Sequence, residues 1–481
     1  MEGEVLSLRQ VTVWLCMSVG LVALLPGVTP LGNPALAVER TIVRPSAEES
    51  KRRAERERLN FIARMGGLYR SIPLQRYVSG VGRRIAEAAN IYGNYFGGDY
   101  YEGVPEFRYG ILNDAIAGAF AFEGGDIFVT RGLLAIANTE DEIAAVVAHE
   151  VAHLIAGHNG LRNRSPGEAR VESWARFNAE EEFAADAMSV RILAEAGYDP
   201  FAQSRMLSAV SKDMTFSMML GRAAKDEQSD LQAWIDERIT RVQLAASMLP
   251  LVADLEAHKA THLAAVDGMD YGQPPSHGIV HGQTFFDARR RYSFTLPEGF
   301  HFQRTTRPLR AVGPGGASIH LDSKRTRMRW MDAGRYLGQT GTRGQALRNV
   351  VRMSVNGMDA AMGVTSLSTE DGETDLRVVA IRASPRTIYR FRYMMPEGIS
   401  AELEDPLWRT AHTFKRLSRR EAAALKPYRL GLVTVQEGDT IDSVAQQMAF
   451  LDHPRLRFLN LNGFHVNERL IPGEIVKIVT E

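Results

Sequence analysis

Thr139-Glu140-Asp141-Glu142-Ile143-Ala144-Ala145-Val146-Val147-Ala148-His149-Glu150-Val151-Ala152-His153-Leu154-Ile155 is the stretch on which the reading of this chain turns. Thr139 with Glu142 three residues later is a capping-box pattern, so a helix begins here. Apolar residues then run almost all the way round, which marks a buried helix. His149 and His153 lie four apart and share one face, with Glu150 beside it. Leaving two imidazoles and a carboxylate unpaired in such an interior would cost several kcal/mol, so they need a partner. A divalent cation supplies it, and His-Glu-x-x-His on a helix builds half of a catalytic zinc site.

A catalytic zinc takes three protein ligands and keeps one position open, so a third donor must come from elsewhere in the chain. Glu180, Glu181 and Glu182 compete on a second helix over about residues 180–195, which stops at Gly197. Glu182 is favoured because Asp186 lies one turn on, on the same face. Two carboxylates so placed repel unless a cation or a donor separates them. With Glu182 on the metal and Asp186 accepting a proton from a ligand imidazole, both are satisfied. His158 is the rival. On a continuing helix, nine residues from His149 is about half a turn out of phase, so His158 is expected to point away. His258 and His262 repeat the four-residue spacing without a Glu after the first His, and are read as a solvated helix face. Ile127 and Val129 lie on a short strand expected to pair with an extended substrate, as sheet-edge peptide sites do. Arg238 is the further candidate for an oxyanion or substrate contact.

A chain of 481 residues predicts about three domains. Lys+Arg and Asp+Glu both total 57, so no overall basic field points to nucleic acid. The apolar run over residues 11–25, followed by Ala35-Leu36-Ala37, reads as a signal peptide over 1–37; an uncleaved anchor is the other reading, although so short a run barely spans a bilayer. The lone cysteine, Cys16, lies inside that run, so disulfides do not hold the mature chain. Residues 38–265 form the expected metallopeptidase domain, with a polar surface excursion over 159–178. A Gly/Pro/His-rich linker over 266–286 follows, then an α+β domain over 287–420 with no visible chemistry, and a last unit over 428–481. The fold class is multidomain: a mainly helical zincin-like domain with a small β-sheet, then two α+β units.

The stretch Gly124-Gly125-Asp126-Ile127-Phe128-Val129-Thr130-Arg131-Gly132-Leu133-Leu134, the helix just described, Glu182-Phe183-Ala184-Ala185-Asp186 and Ala196-Gly197-Tyr198-Asp199-Pro200 together resemble the HtpX and CAAX-prenyl-protease type of zinc metallopeptidase. The similarity covers about residues 50–255 and is greatest to the soluble exported branch, which includes outer-membrane assembly and quality-control proteases. It implies one zinc held by His149, His153 and Glu182, with Glu150 as base and Asp186 as support. Two departures stand out. Gly118 replaces an Asn often found ahead of the double glycine, and Gln232-Ala233 stands where soluble members carry a regulatory His-Pro. The C-terminal unit, with Gly438-Asp439-Thr440, Asn460-Leu461-Asn462-Gly463 and Ile471-Pro472-Gly473, resembles a LysM module, which implies binding to peptidoglycan-type glycans; a docking domain without glycan affinity is the equal alternative.

The expected function is hydrolysis of peptide bonds in misfolded or misassembled proteins of a bacterial envelope or periplasm. Glu150 takes a proton from water and returns it to the leaving amine. Unfolded proteins, peptidoglycan through 428–481, and outer-membrane assembly machinery are the expected partners. The competing class is a chaperone-like or glycan-tethered binding protein with a dormant zinc site.

Overall fold

The computed structural model describes residues 47–96, 106–158 except 123, 179–219, 228–303 except 251–252, 309–326, 331–340, 347–396 except 370–371, and 400–481 except 451. The expected signal peptide and the polar excursion over 159–178 lie outside the described residues. No helix among the described residues is long and apolar enough to cross a membrane.

Two helices, α1 (Ala47–Arg64) and α2 (Ile72–Phe96), lead into a small sheet of β1 (Arg108–Leu112), β2 (Ala119–Ala121) and β3 (Asp126–Thr130). The strand order is β1-β3-β2, with β1 parallel and β2 antiparallel to β3. Thr130 ends β3 and caps the short helix α3 (Arg131–Ile136), its side chain accepting from the Leu133 N–H at 3.1 Å. The backbone at Ala115 and Ile116 passes close to α3: a Cβ on Gly132 would come within 2.2 Å of the Ala115 carbonyl oxygen, so a side chain has no room there.

The motif helix is α4 (Glu140–Ile155). Thr139 Oγ1 accepts from the Glu142 N–H at 3.3 Å, while the Glu142 carboxylate reaches back to the Asn138 N–H at 2.7 Å, one residue earlier than the simple capping box. All three acids of the first turn are buried, and each is answered. Glu140 is met by Arg84 and the Tyr198 hydroxyl, Asp141 by the Asp199 N–H and His258 Nδ1, and Glu142 by Arg205 as well as Asn138. Their charges also suit the positive end of the helix. Around α4 pack α5 (Ala179–Glu195), α6 (Ala202–Met219), α7 (Gln228–Ala246) and α8 (Leu255–Val266).

The Gly/Pro-rich stretch after α8 is ordered into β4 (Asp270–Tyr271), a 3-10 turn at Pro275–His277, β5 (Ile279–His281) and β6 (Thr284–Asp287). Antiparallel strands follow: β7 (Tyr292–Thr295), β8 (His301–Phe302), β9 (Leu309–Val312) and β10 (Ser318–Arg325), then, after α9 (Ala333–Thr340), β11 (Arg348–Val355), β12 (Met358–Thr369), β13 (Gly372–Ser384) and β14 (Thr387–Pro396). A helix, α10 (Ser400–His412), and β15 (Lys415–Arg416) close this region. Seven strands run in the order β11-β12-β13-β14-β10-β9-β8 and four in the order β15-β7-β6-β5. The two sheets share a core built around Phe285, Phe294, Phe391 and Phe414.

After α11 (Arg419–Ala424), the chain ends in β16 (Tyr428–Thr434), α12 (Ile441–Ala445), α13 (Pro454–Asn462) and β17 (Ile475–Thr480). β16 pairs with β17 on one side and with β4 on the other. Val444, Phe458, Leu461 and Val479 belong to the same hydrophobic cluster as Leu134, Ile143 and Val266 of the helical region. Lys477, fully buried, donates to the Ala135 and Ala137 carbonyls just ahead of the α4 cap. Lys259 on α8 pairs with Glu474 at 2.6 Å. The C-terminal unit is therefore packed into the helical region rather than hanging from it.

Candidate metal centre

Further up α4, His149 and His153 project from the same face, and α5 presents Glu182 opposite them. His149 Nε2 and His153 Nε2 lie 3.0 Å apart. Glu182 Oε2 is 3.4 Å from the first and its Oε1 3.3 Å from the second. All three residues are at most 6 % exposed. Four zinc ligands at tetrahedral positions with ordinary bond lengths stand roughly 3.3–3.6 Å from one another. The donors are near that spacing, and they are two imidazole nitrogens and one carboxylate, the chemistry zinc prefers.

Behind the donors sits Asp186, one turn along α5 from Glu182. It takes Nε and Nη2 of Arg238 at 2.7 and 2.8 Å and the Gln203 amide at 2.9 Å. His149 Nδ1 is 3.0 Å from Asp186 Oδ1, short in distance but bent away from ideal hydrogen-bond alignment. Arg238 Nη1 also reaches Glu182 Oε2 at 3.2 Å. One guanidinium from α7 thus holds both carboxylates of α5 in place, and Trp234 flanks it at 4.8 Å.

The electrostatics follow from burial and these pairs. Burial alone pulls His149 down, but Asp186 and Glu182 outweigh it and push the imidazole up to about 9. Burial raises Glu182, yet the two imidazoles hold it far below the usual carboxylate range. Asp186 is likewise raised by burial and lowered more strongly by Arg238 and then His149. Burial lowers Arg238, and Asp186, Glu182 and Glu150 together keep it above its ordinary value. Glu150, half-buried, is close enough to the centre to take part in that field.

Several expectations need correction. Ile127 and Val129 sit on β3, the central strand, whose backbone is already paired on both sides; it has no free edge to offer a substrate. The free edge of the sheet on that side is β2. Arg238 is fully buried against Asp186 and Glu182, so it supports ligands instead of contacting an oxyanion or substrate. His158 does not point away, because the helix it was placed on ends: α4 stops at Ile155, Gly157 turns with φ 66, and the His158 ring packs edge-on to His153 at 5.4 Å. It still lies outside the donor group. His258 and His262 are not a solvated face. His258 binds Asp141 at 2.8 Å, and fully buried His262 meets the Tyr77 hydroxyl and the Leu134 and Ala137 carbonyls. Gln232 joins α6 to α7 through Ser211 at 2.9 Å. Gln203 was missed altogether; only the fold brings it to Asp186.

Residues 76–165 match peptidase family M48. That segment is similar to the peptidase domains of the M48 family. The matched M48 segment contains His149, Glu150 and His153 and stops short of Glu182, whose place in the centre rests on the geometry. Metallopeptidases of the M48 family use zinc, in agreement with the donor set. The mitochondrial metalloendopeptidase OMA1 of Schizosaccharomyces pombe is 43 % identical over 49 residues, 10 % of this chain and 14 % of that protein. A putative beta-barrel assembly-enhancing protease of Vibrio cholerae is 32 % identical over 85 residues, 18 % of this chain and 15 % of that protein. The similarity thus spans about a seventh of the length of these relatives. Among solved structures, cyanobacterial PsbP from Synechocystis aligns with a TM-score of 0.23 at 12 % identity, over 28 % of this chain and 94 % of that one, too low to identify a fold.

Proposed function

We propose that this protein is a zinc-dependent endopeptidase that cuts unfolded or misassembled proteins of a bacterial envelope. The observation that carries the reading is the convergence of His149 Nε2, His153 Nε2 and the Glu182 carboxylate within 4.8 Å, with Glu150 on the adjoining turn. A zinc held by His149, His153 and Glu182 would supply Lewis acidity there for the scissile carbonyl and for water. Glu150 receives that proton and hands it to the departing amine. Asp186 and Arg238 fix the orientation of His149 and Glu182, so the donors need no rearrangement.

An extended substrate pairs along β2, residues 119–121, an edge strand of the small three-stranded sheet. Extended chains suit such an edge, which favours unfolded polypeptides over folded ones. The envelope setting is supported by the apolar leader and the small-residue site at its end, and by the likeness to the Vibrio cholerae protease. Glycan binding by residues 428–481, and contact with outer-membrane assembly machinery, belong to the same proposal.

The test is proteolysis of a permanently unfolded protein, such as reduced carboxymethylated lactalbumin, with metal content measured in parallel. Cleavage that stops on chelation and returns with added zinc supports the reading. A chaperone with a dormant centre would bind the same protein and cut none of it, with or without zinc.

A further inference from the structure

A cavity of about 760 Å³ opens where the helical region, the β-rich region and the C-terminal unit meet, and it shares no residue with the metal centre. Six aromatic side chains line it: Phe216, Tyr271, Phe300, Phe302, Tyr428 and Phe450. The charged groups in its wall are answered from within the protein. Arg131 donates to Asn113 and to the Asp270 and Gly272 carbonyls, Arg457 to Asp452, and Asp213 accepts from Asn460. An ionic ligand therefore finds little to recognise. Gln273, Gln283 and Gln303 also face the cavity, and each amide can both donate and accept, which matches the peptide groups of a polypeptide. Apolar surface with neutral amides at its margin is the chemistry of an apolar stretch of unfolded chain.

Position links this cavity to the cleavage site. Ala115, Ile116 and Ala117 line it, and one residue later the chain enters β2 through Gly118 and Ala119. A substrate strand paired along the open side of β2 leads past the Ala119 end of the strand, beside the bend at Ala115 and Ile116 whose residues line the cavity. We propose that the cavity is an exosite that seats a large apolar side chain of the same extended polypeptide that is cut at the metal centre. The inference rests on the peptidase reading above and adds a second point of recognition, built partly by the C-terminal unit.

Ser217 and Val280 are half-buried wall positions far in sequence from the metal ligands. In the zinc-loaded full chain, Ser217→Trp and Val280→Trp fill the space. The expected result is a KM for reduced carboxymethylated lactalbumin raised about tenfold with kcat unchanged, the loss corresponding to one large apolar side chain no longer buried. A short peptide that spans only the metal centre and β2 is cut as by the parent protein. In a Glu150→Gln background, binding of fluorescently labelled carboxymethylated lactalbumin weakens by the same factor in anisotropy titrations. That binding measurement reads the exosite even where no cleavage occurs, so it separates failure of the exosite from failure of the peptidase reading. Ser217→Leu serves as a milder filling should tryptophan unfold the chain. Unchanged lactalbumin binding in the filled variants, or equal losses on long and short substrates, overturns the proposal.

Discussion

The two ends of α4 both bury ionisable side chains and resolve them in opposite ways. At its start, Glu140, Asp141 and Glu142 are buried and matched to protein donors: Arg84, Tyr198, His258, Arg205 and backbone N–H groups. Further along, His149, His153 and Glu182 turn ring nitrogens and carboxylate oxygens toward one another at 3.0–3.4 Å. Lone pairs facing lone pairs need a shared proton or a shared cation. Burial of ionisable groups is thus no mark of function by itself. What distinguishes the second end is that acceptors converge, with the Arg238 guanidinium placed behind them on Asp186 and Glu182.

The sharpest contrast is expected from Glu150→Gln. Loss of the base lowers kcat roughly 10²–10⁴-fold, while zinc content stays at the parent level, as paired metal analysis and proteolysis would show. Glu140→Gln at the other end should leave both readings near the parent values. Equal losses from the two changes would erase the distinction drawn here.

Next in size is Arg238→Met. It strands Asp186 and Glu182 without their shared cation, and removing one partner of a buried pair costs roughly 3–5 kcal/mol. Denaturant unfolding of the chelated protein should show the full loss. Saturating zinc should recover part of it, because the metal takes over Glu182. A loss untouched by zinc would mean that the arginine serves only packing.

A pH effect distinguishes the ends further. His262 packs beneath the entry to α4, and burial, with the Lys477 charge second, brings its pKa down to about 3 from an ordinary 6.5. Between those values the unfolded chain binds a proton that the folded chain refuses, so stability falls as pH drops from 6.5 toward 3 and is unaffected by this group above 6.5. His262→Gln should flatten the difference across that window in unfolding measurements at stepped pH. An unchanged slope would show that His262 is protonated in the fold.

The smallest effect belongs to Thr139→Ala. Loss of the cap is expected to cost about 1 kcal/mol of stability, with zinc content and KM unchanged, since the other first-turn contacts remain.

Much of the metal centre was legible because it is written in local spacings. His149 and His153 on one helix, and Glu182 and Asp186 on another, both use the four-residue period that stacks side chains on a face. Arg238 was visible as a residue but not as a role, because its partner lies 52 positions away and only the packing of α7 on α5 unites them. The position of β3 was misread for a similar reason: five wholly buried residues look alike at an edge or at the centre until the pairing with β1 is known. His158 was misplaced by extending a helix through Gly157. Lys477 shows the limit on the C-terminal unit. In Ile475-Val476-Lys477-Ile478 an alternating strand would send the lysine to water, but Val476 to Val479 of β17 are all buried, and the amine is used on two carbonyls of the helical region.

The central claim is that the second end of α4 holds a metal and the first does not. The direct measurement is zinc per chain in the purified protein and in His149→Ala, Glu182→Gln and Glu142→Gln. The account predicts one zinc in the parent, loss of most of it in the first two variants and retention in the third. Full zinc in Glu182→Gln, or none in the parent after exposure to the metal, would contradict it.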